Sequence, residues 1–342
     1  MSSDTGTKIP PGKLPLDLLS HLLDRYTIED DRVIVGPRVG EDATVIDLGT
    51  VCLVLKTDPI TFATDEIGYY AIHVNANDIA TTGASPRWFL ATLLLPEKET
   101  DPDLVESIFE SIHSASDSIG VSFCGGHTEV TVGLDRPIVV GQMIGEVARG
   151  DLVRTESLEP GDALLLTKGL GVEATAILAR EKASELQEQG VAEDVIARAR
   201  NYLHDPGIGV TQEAGIACAT ARIHAMHDPT EGGVAGALRE LAMAADVGIA
   251  VEEDALAVSD ETRALCGALD LDPLGVISSG ALLIGTSAED AEKVRDAIRD
   301  DGIGCEIVGR VEEASLGIRL RRGGTWMDLP SFERDEIARA FE

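Results

Sequence analysis

Between Lys56 and Ser85 the chain reads KTDPITFATDEIGYYAIHVNANDIATTGAS, the stretch around which the rest reads as organised. It holds a strand end that carries an acid, Thr57-Asp58-Pro59, and then a helix that carries Asn75, Asn77 and Asp78. Apolar Ile67, Tyr70, Ala71 and Val74 recur at helical spacing, so their face should pack inward. Asn75 and Asp78 are three apart and project together on a neighbouring face. Asparagine and aspartate compete with the backbone for hydrogen bonds and are poor choices for a helix interior. Oxygens that face an acid-bearing strand end suit a hard cation such as magnesium, which prefers carboxylate and amide ligands. A solvated helix face or a cap would also use these residue types, and the stretch alone leaves both readings open.

The length of 342 residues suggests two domains. With 44% hydrophobic but only 4% aromatic residues, the core must be mostly aliphatic. No run approaches the ~18 apolar residues of a membrane helix. The N-terminus, MSSDTGTKIPPGKLP, lacks an apolar signal core, so a cytoplasmic protein is expected. Sixty acids against 28 bases give a formal charge of −32. Such an acidic, lysine-poor surface argues against nucleic acid and anionic membranes as partners, and it fits work in high salt. The five cysteines, Cys52, Cys124, Cys218, Cys266 and Cys305, show no Cys-x-x-Cys spacing and hence no zinc signature. They read as reduced and mostly buried, Cys124 among them as a small buried strand residue.

Residues 1–13, with Lys8 and Lys13, read as a flexible arm. Leu14–Tyr26 is expected as an amphipathic helix. Gly36–Ala43 is a turn-rich loop in which Gly40 allows close backbone approach and Glu41-Asp42 place carboxylates beside it. Strands follow at Thr44–Leu48, at Val51–Lys56 running to Asp58, and at Arg87–Leu95, with a helix over Asp101–Ser118. Phe123–Thr131, FCGGHTEVT, reads as a strand ending in a glycine turn, with Gly125, Gly126, His127 and Thr128 able to hold an anion. After the strand Pro137–Val147 the texture changes, and a domain boundary is expected near residue 152. Strand Asp162–Thr167 feeds Gly169-Leu170-Gly171 and a helix over Val172–Glu188. That turn has neither a dinucleotide fingerprint nor a Gly-Lys-Ser/Thr ending. In His227–Glu240, HDPTEGGVAGALRE, Asp228 or Thr230 can cap the following helix, whose positive end suits an anion. Downstream, helices and strands alternate to a last short helix at Arg334–Phe341.

Together, Gly40-Glu41-Asp42, Thr57-Asp58, Asn77-Asp78, Gly125-Gly126-His127-Thr128 and His227-Asp228-Pro229-Thr230 resemble the motifs of a known superfamily. It comprises the ATP-binding proteins related to aminoimidazole ribonucleotide synthetase (PurM-like), with selenophosphate synthetase, thiamine monophosphate kinase and the hydrogenase maturation protein HypE. The resemblance covers essentially the whole chain. It implies an α+β, two-domain fold, with domains at 14–152 and 153–342, whose N-terminal mixed sheet pairs into a barrel in a homodimer. It implies ATP and Mg2+ as cofactors, with Asp42, Asp58 and Asp78 as the metal carboxylates supported by Asn75 and Asn77. It further implies that Gly40, Gly125, Gly126, His127 and Thr128 line the nucleotide, and that Asp228 and Thr230 face the acceptor or phosphate from the other domain.

The wording of HDPTEGG and Leu271-Asp272-Pro273-Leu274 is most similar to the HypE branch. That branch dehydrates a carbamoylated C-terminal cysteine to a thiocyanate, whereas the last cysteine here is Cys305. Ser278-Ser279-Gly280 also lacks the acid expected beside that glycine. No cysteine precedes Cys52, although the Gly-Gly-His-Thr turn matches selenophosphate synthetase. The expectation is a HypE-like enzyme that activates a small-molecule or carbamoyl-type acceptor. The alternatives are a nucleotide-gated scaffold with a maturation partner, or activity like that of thiamine monophosphate kinase or selenophosphate synthetase.

Overall fold

Alternating apolar residues build two sheets in the structure, a computed structural model that describes residues 9, 14–37, 43–61 and 66–341. Gly40 and Asp42, with Glu41, lie outside the described residues, as do Lys8 and Lys13 of the expected arm. The first sheet contains β1 (Val33–Val35), β2 (Thr44–Asp47), β3 (Val51–Ile60), β4 (Ser85–Pro96), β5 (Ser122–Thr131) and β6 (Ile138–Ala148). Their order is β1-β2-β3-β6-β4-β5, antiparallel except for the parallel pair β4–β5. The second sheet contains β7 (Ala163–Thr167), β8 (Ile223–His227), β9 (Gly248–Glu252), β10 (Leu283–Thr286), β11 (Cys305–Glu312), β12 (Ile318–Arg322) and β13 (Thr325–Asp328). It runs β13-β12-β9-β11-β7-β10-β8 and is antiparallel except for β9–β12.

The two sheets are covered differently. Every residue of β7 is buried, with Leu164 and Leu166 in one apolar cluster and Ala163 and Leu165 in another. The second sheet is therefore packed on both faces. The first sheet buries one face under the helices Ile67–Thr81 and Pro102–Ser118, through Val54, Phe89, Ala91, Leu93 and Met143. Its other face carries Leu53, Leu55, Leu90, Val140 and Ile144, all only half-buried, and Trp88, which is exposed.

The helix Ile67–Thr81 is the centre of the molecule. On one side it meets β3, β6 and the helix Pro102–Ser118, and on the other the helix Thr211–Thr220 and β8. It is wrapped by both domains, so its polar residues are buried as well: Asn75, Asn77 and Asp78 are at most 5% exposed. Of the two readings the sequence leaves open, the solvated helix face does not occur.

Three other expectations are corrected. Phe123–Thr131 is not a strand followed by a turn but part of the continuous edge strand β5. Partners Phe89↔Phe123 and Leu90↔Gly125 leave Cys124 as an extra, bulged residue, which is why this cysteine is exposed. Gly126 has φ +146°, and a Cβ there would fall 1.8 Å from Ala91 O, so the strand passes only because the residue is glycine. The helix expected over Val172–Glu188 breaks at Lys182 into Val172–Glu181 and Ala183–Glu188. The break lets Leu186 join Leu178, Ile196 and Leu265 in one cluster. Finally, neither Asp228 nor Thr230 caps the helix Gly233–Ala245. Gly232 begins it, and the Gly232 N–H is taken by Asp335 Oδ2 at 2.8 Å.

Candidate active site

The covered face of β3 reads Cys52, Val54, Lys56, Asp58. The first two are buried in the core, and the last two are polar where the central helix changes from Ala71 and Ile72 to Asn75 and Asp78. There the Lys56 ammonium lies 2.9 Å from Asp78 Oδ2 and 3.6 Å from Asp58 Oδ2. Asp58 is thus brought to Asp78 by a strand and a helix that meet, and both acids address one positive centre. Asn75 Nδ2 donates to Ala71 O at 2.9 Å and to Asp58 O at 3.4 Å, bracing the strand end. Gly141 of β6 makes room for it, since a Cβ there would meet Asn75 Nδ2 at 2.5 Å.

Asn77 is used elsewhere. Its Nδ2 donates to Ile208 O and its Oδ1 accepts from Val210 N, both at 2.8 Å. Its amide therefore clamps the C-terminal domain to the central helix. The same loop is held from its own side by Lys168, whose Nζ donates to Gly207 O and Gly209 O and pairs with Glu213 at 2.9 Å.

The glycine-rich strand stays apart from the acids within one chain. Asp58, Gly141, Ala91 and Gly126 occupy one row across β3, β6, β4 and β5. Three strand spacings separate Asp58 from Gly126, roughly 14 Å. His127 points to the opposite face, where its Nε2 meets Glu129 Oε2 at 3.0 Å. Thr131 Oγ1 also donates to Glu129, at 2.9 Å. These two bonds, the histidine's foremost, hold the Glu129 carboxyl below its ordinary pKa. Asp228 and His227 are buried at the end of β8, and His227 Nε2 lies 2.7 Å from Glu240 Oε2. Thr230 is half-buried, and its carbonyl accepts from Gly233 N at 3.0 Å.

One helical turn beyond Asp78, a small cleft opens at the domain junction. Val35, Ala43 and Val45 line one wall, and Arg154, Thr155 and Met226 the other. Ala43 directly follows Asp42 in the sequence.

Glu173 and His73 are two further buried titratable groups that the sequence reading does not single out. Glu173, in the first turn of the helix Val172–Glu181, is 7% exposed, and its Oε2 has no hydrogen-bond partner. Burial above all, then the charges of Glu231 and Asp335, pushes it up to about 7 against the bond from Ser279. His73 is 6% exposed, with neither ring nitrogen hydrogen-bonded. Burial, then Lys168 and His204, brings it down to about 4. Lys56 was also missed, although a lysine two residues before Asp58 on a strand must share its face.

The family models of the AIR synthase related protein match this architecture in order, the N-terminal domain over residues 40–147 and the C-terminal domain over 159–320. The chain belongs to the AIR synthase-related family. A relative in Methanocaldococcus jannaschii, provisionally named for hydrogenase expression and formation, is 32% identical over 86% of this chain and 87% of its own. The carbamoyl dehydratase HypE of Rhizobium leguminosarum is 30% identical over 80% of this chain and 77% of its own. Among solved structures, HypE in complex with ATP superposes with a TM-score of 0.69 at 24% identity, over 92% of this chain and 91% of that one. HypE in a HypE–HypF complex gives 0.73 at 23%, over 91% and 98%. The PurM-like fold of this AIR synthase-related chain is thereby established. Among the described residues, no helix is long and apolar enough to cross a membrane.

Proposed function

We propose that this AIR synthase-related protein is a cytoplasmic, ATP- and Mg2+-dependent enzyme that phosphorylates or otherwise activates a carbamoyl-type or other small acceptor. The observation that carries the reading is the convergence of Asp58 and Asp78, from different elements, on one cationic centre. Two carboxylates at one point form a donor set that fits a hard divalent ion. Asp58 and Asp78 would hold it, joined by Asp42. When bound, the ion would neutralise phosphate charge during transfer.

The chain's own residues supply position. Asn75 fixes the strand end that carries Asp58. Asn77 fixes the second domain on the same helix, so that Asp228 and Thr230 keep a constant place relative to the acids. Gly40, Gly125, Gly126, His127 and Thr128 would line the nucleotide. The half-buried apolar face of the first sheet is suited to a second copy of the chain, which favours a homodimer. ATP in the HypE complex and the carbamoyl dehydratase name of the relatives support the nucleotide and the acceptor class. The HypE–HypF complex supports a second reading, a maturation role with a protein partner.

Calorimetric titration with MgATP tests the reading. The wild type should bind, and Asp78→Asn should weaken MgATP about tenfold or more by removing a metal-facing charge. Unchanged affinity in the variant would contradict it.

A further inference from the structure

Lys56 stands where a divalent ion would have to go. Its ammonium touches the carboxylate of Asp78 and lies within ion-pair distance of Asp58. Its side chain is 15% exposed and that of Asp78 7%, so water screens this contact poorly. A lysine ammonium and a divalent ion repel each other and cannot share two carboxylates. Lysine also differs from arginine in carrying its charge as a point on a flexible four-carbon stem, which can be redirected without moving the strand.

We propose that Lys56 is a built-in counter-ion of the Asp58–Asp78 pair, which must leave before a divalent ion enters and then turns toward the phosphates of the nucleotide. This rests on the MgATP reading above. In the free protein the lysine neutralises two acids that would otherwise face each other across the sheet–helix junction. It therefore competes with metal that arrives alone. Metal that arrives with a nucleotide brings phosphate oxygens that give the displaced ammonium a new partner. The acids are thereby kept from binding stray divalent ions tightly, and their full affinity is reserved for the metal–nucleotide complex.

The test is Mn2+ alone, titrated into the full chain and followed by the electron spin resonance of free Mn2+, and then repeated with a non-hydrolysable ATP analogue. Lys56→Met keeps the stem and removes the charge. It should bind Mn2+ alone about tenfold or more tighter than the wild type, because its competitor is gone. The analogue should bind it about tenfold more weakly, because a phosphate partner is gone. Lys56→Arg keeps the charge and should retain the weak Mn2+ binding of the wild type. If Lys56→Met does not fold, Lys56→Gln, which can still donate to Asp78, reads the same quantity. If the neutral variant binds Mn2+ no tighter than the wild type while Asp78→Asn loses Mn2+ and the analogue, the counter-ion role is overturned and the metal site stands. If Asp78→Asn binds both as the wild type does, the MgATP reading and the counter-ion role fall together.

Discussion

Glu213→Ala is expected to cost the fold about 3–5 kcal/mol, since it leaves a buried ammonium without its counter-charge. Glu213 is 1% exposed and the Lys168 side chain 6%, and their charged atoms lie 2.9 Å apart. Glu213 also accepts from Thr167 Oγ1 at 3.2 Å, and Thr167 Oγ1 accepts from Leu282 N at 3.0 Å. The pair thus ties β7, the helix Thr211–Thr220 and the Gly207–Gly209 backbone together. That backbone adjoins the Ile208–Val210 segment held by Asn77, so the loss should also loosen the domain junction. Replacing both charges, Lys168→Met with Glu213→Leu, should cost less than Glu213→Ala alone, because no orphan charge remains. Urea unfolding at constant salt measures both. A single-variant loss below about 1 kcal/mol would show that water reaches Lys168 and screens it.

The second large effect is a pair of opposed pH dependences. Glu173 is raised from 4.5 to about 7, so between those values the folded chain holds a proton that the unfolded chain has released. Its contribution is full below about 4.5 and is lost as pH rises to about 7, roughly 3 kcal/mol in all. His73 is lowered from 6.5 to about 4, so there the unfolded chain takes up a proton that the folded chain refuses. Its contribution is full above about 6.5 and is lost as pH falls to about 4, again roughly 3 kcal/mol. The two windows overlap and nearly cancel in the wild type. Glu173→Gln should therefore gain on the wild type steadily from pH 4.5 to pH 7, the window set by that shift. His73→Leu should gain on it from pH 6.5 down to pH 4. Variant-minus-wild-type stability that stays flat in both windows would mean that neither group is desolvated in solution.

What could be read from the sequence was what is local. The strands Ile138–Ala148 and Ala163–Thr167 follow from apolar runs, and the helix Pro102–Ser118 is closed locally, since Asp101 Oδ1 accepts from Leu104 N at 2.9 Å. Asp58, Asn75 and Asp78 were legible as a group because a strand end and the next helix carry them. The use of Asn77 was not, because its partners lie 131 and 133 residues away and only the docked domains bring them near. Lys168 and Glu213 belong together only after β7 and a later helix have packed. Gly125-Gly126 reads locally as a turn, yet pairing with β4 makes it a strand in which Gly126 admits Ala91 O. Asp228 and Thr230 read as possible caps of the helix Gly233–Ala245 for the same reason, since the amide at its start is satisfied by Asp335, 103 residues downstream.

On the proposed function, Asp58 and Asp78 address a single metal ion that carries a nucleotide. Crystals grown with Mn2+ and a non-hydrolysable ATP analogue, examined at the manganese absorption edge, locate that ion directly. An anomalous peak bound to both carboxylates, with the triphosphate beside it, is the expected result. A nucleotide bound with its metal elsewhere, and with Lys56 still between the two acids, would contradict it.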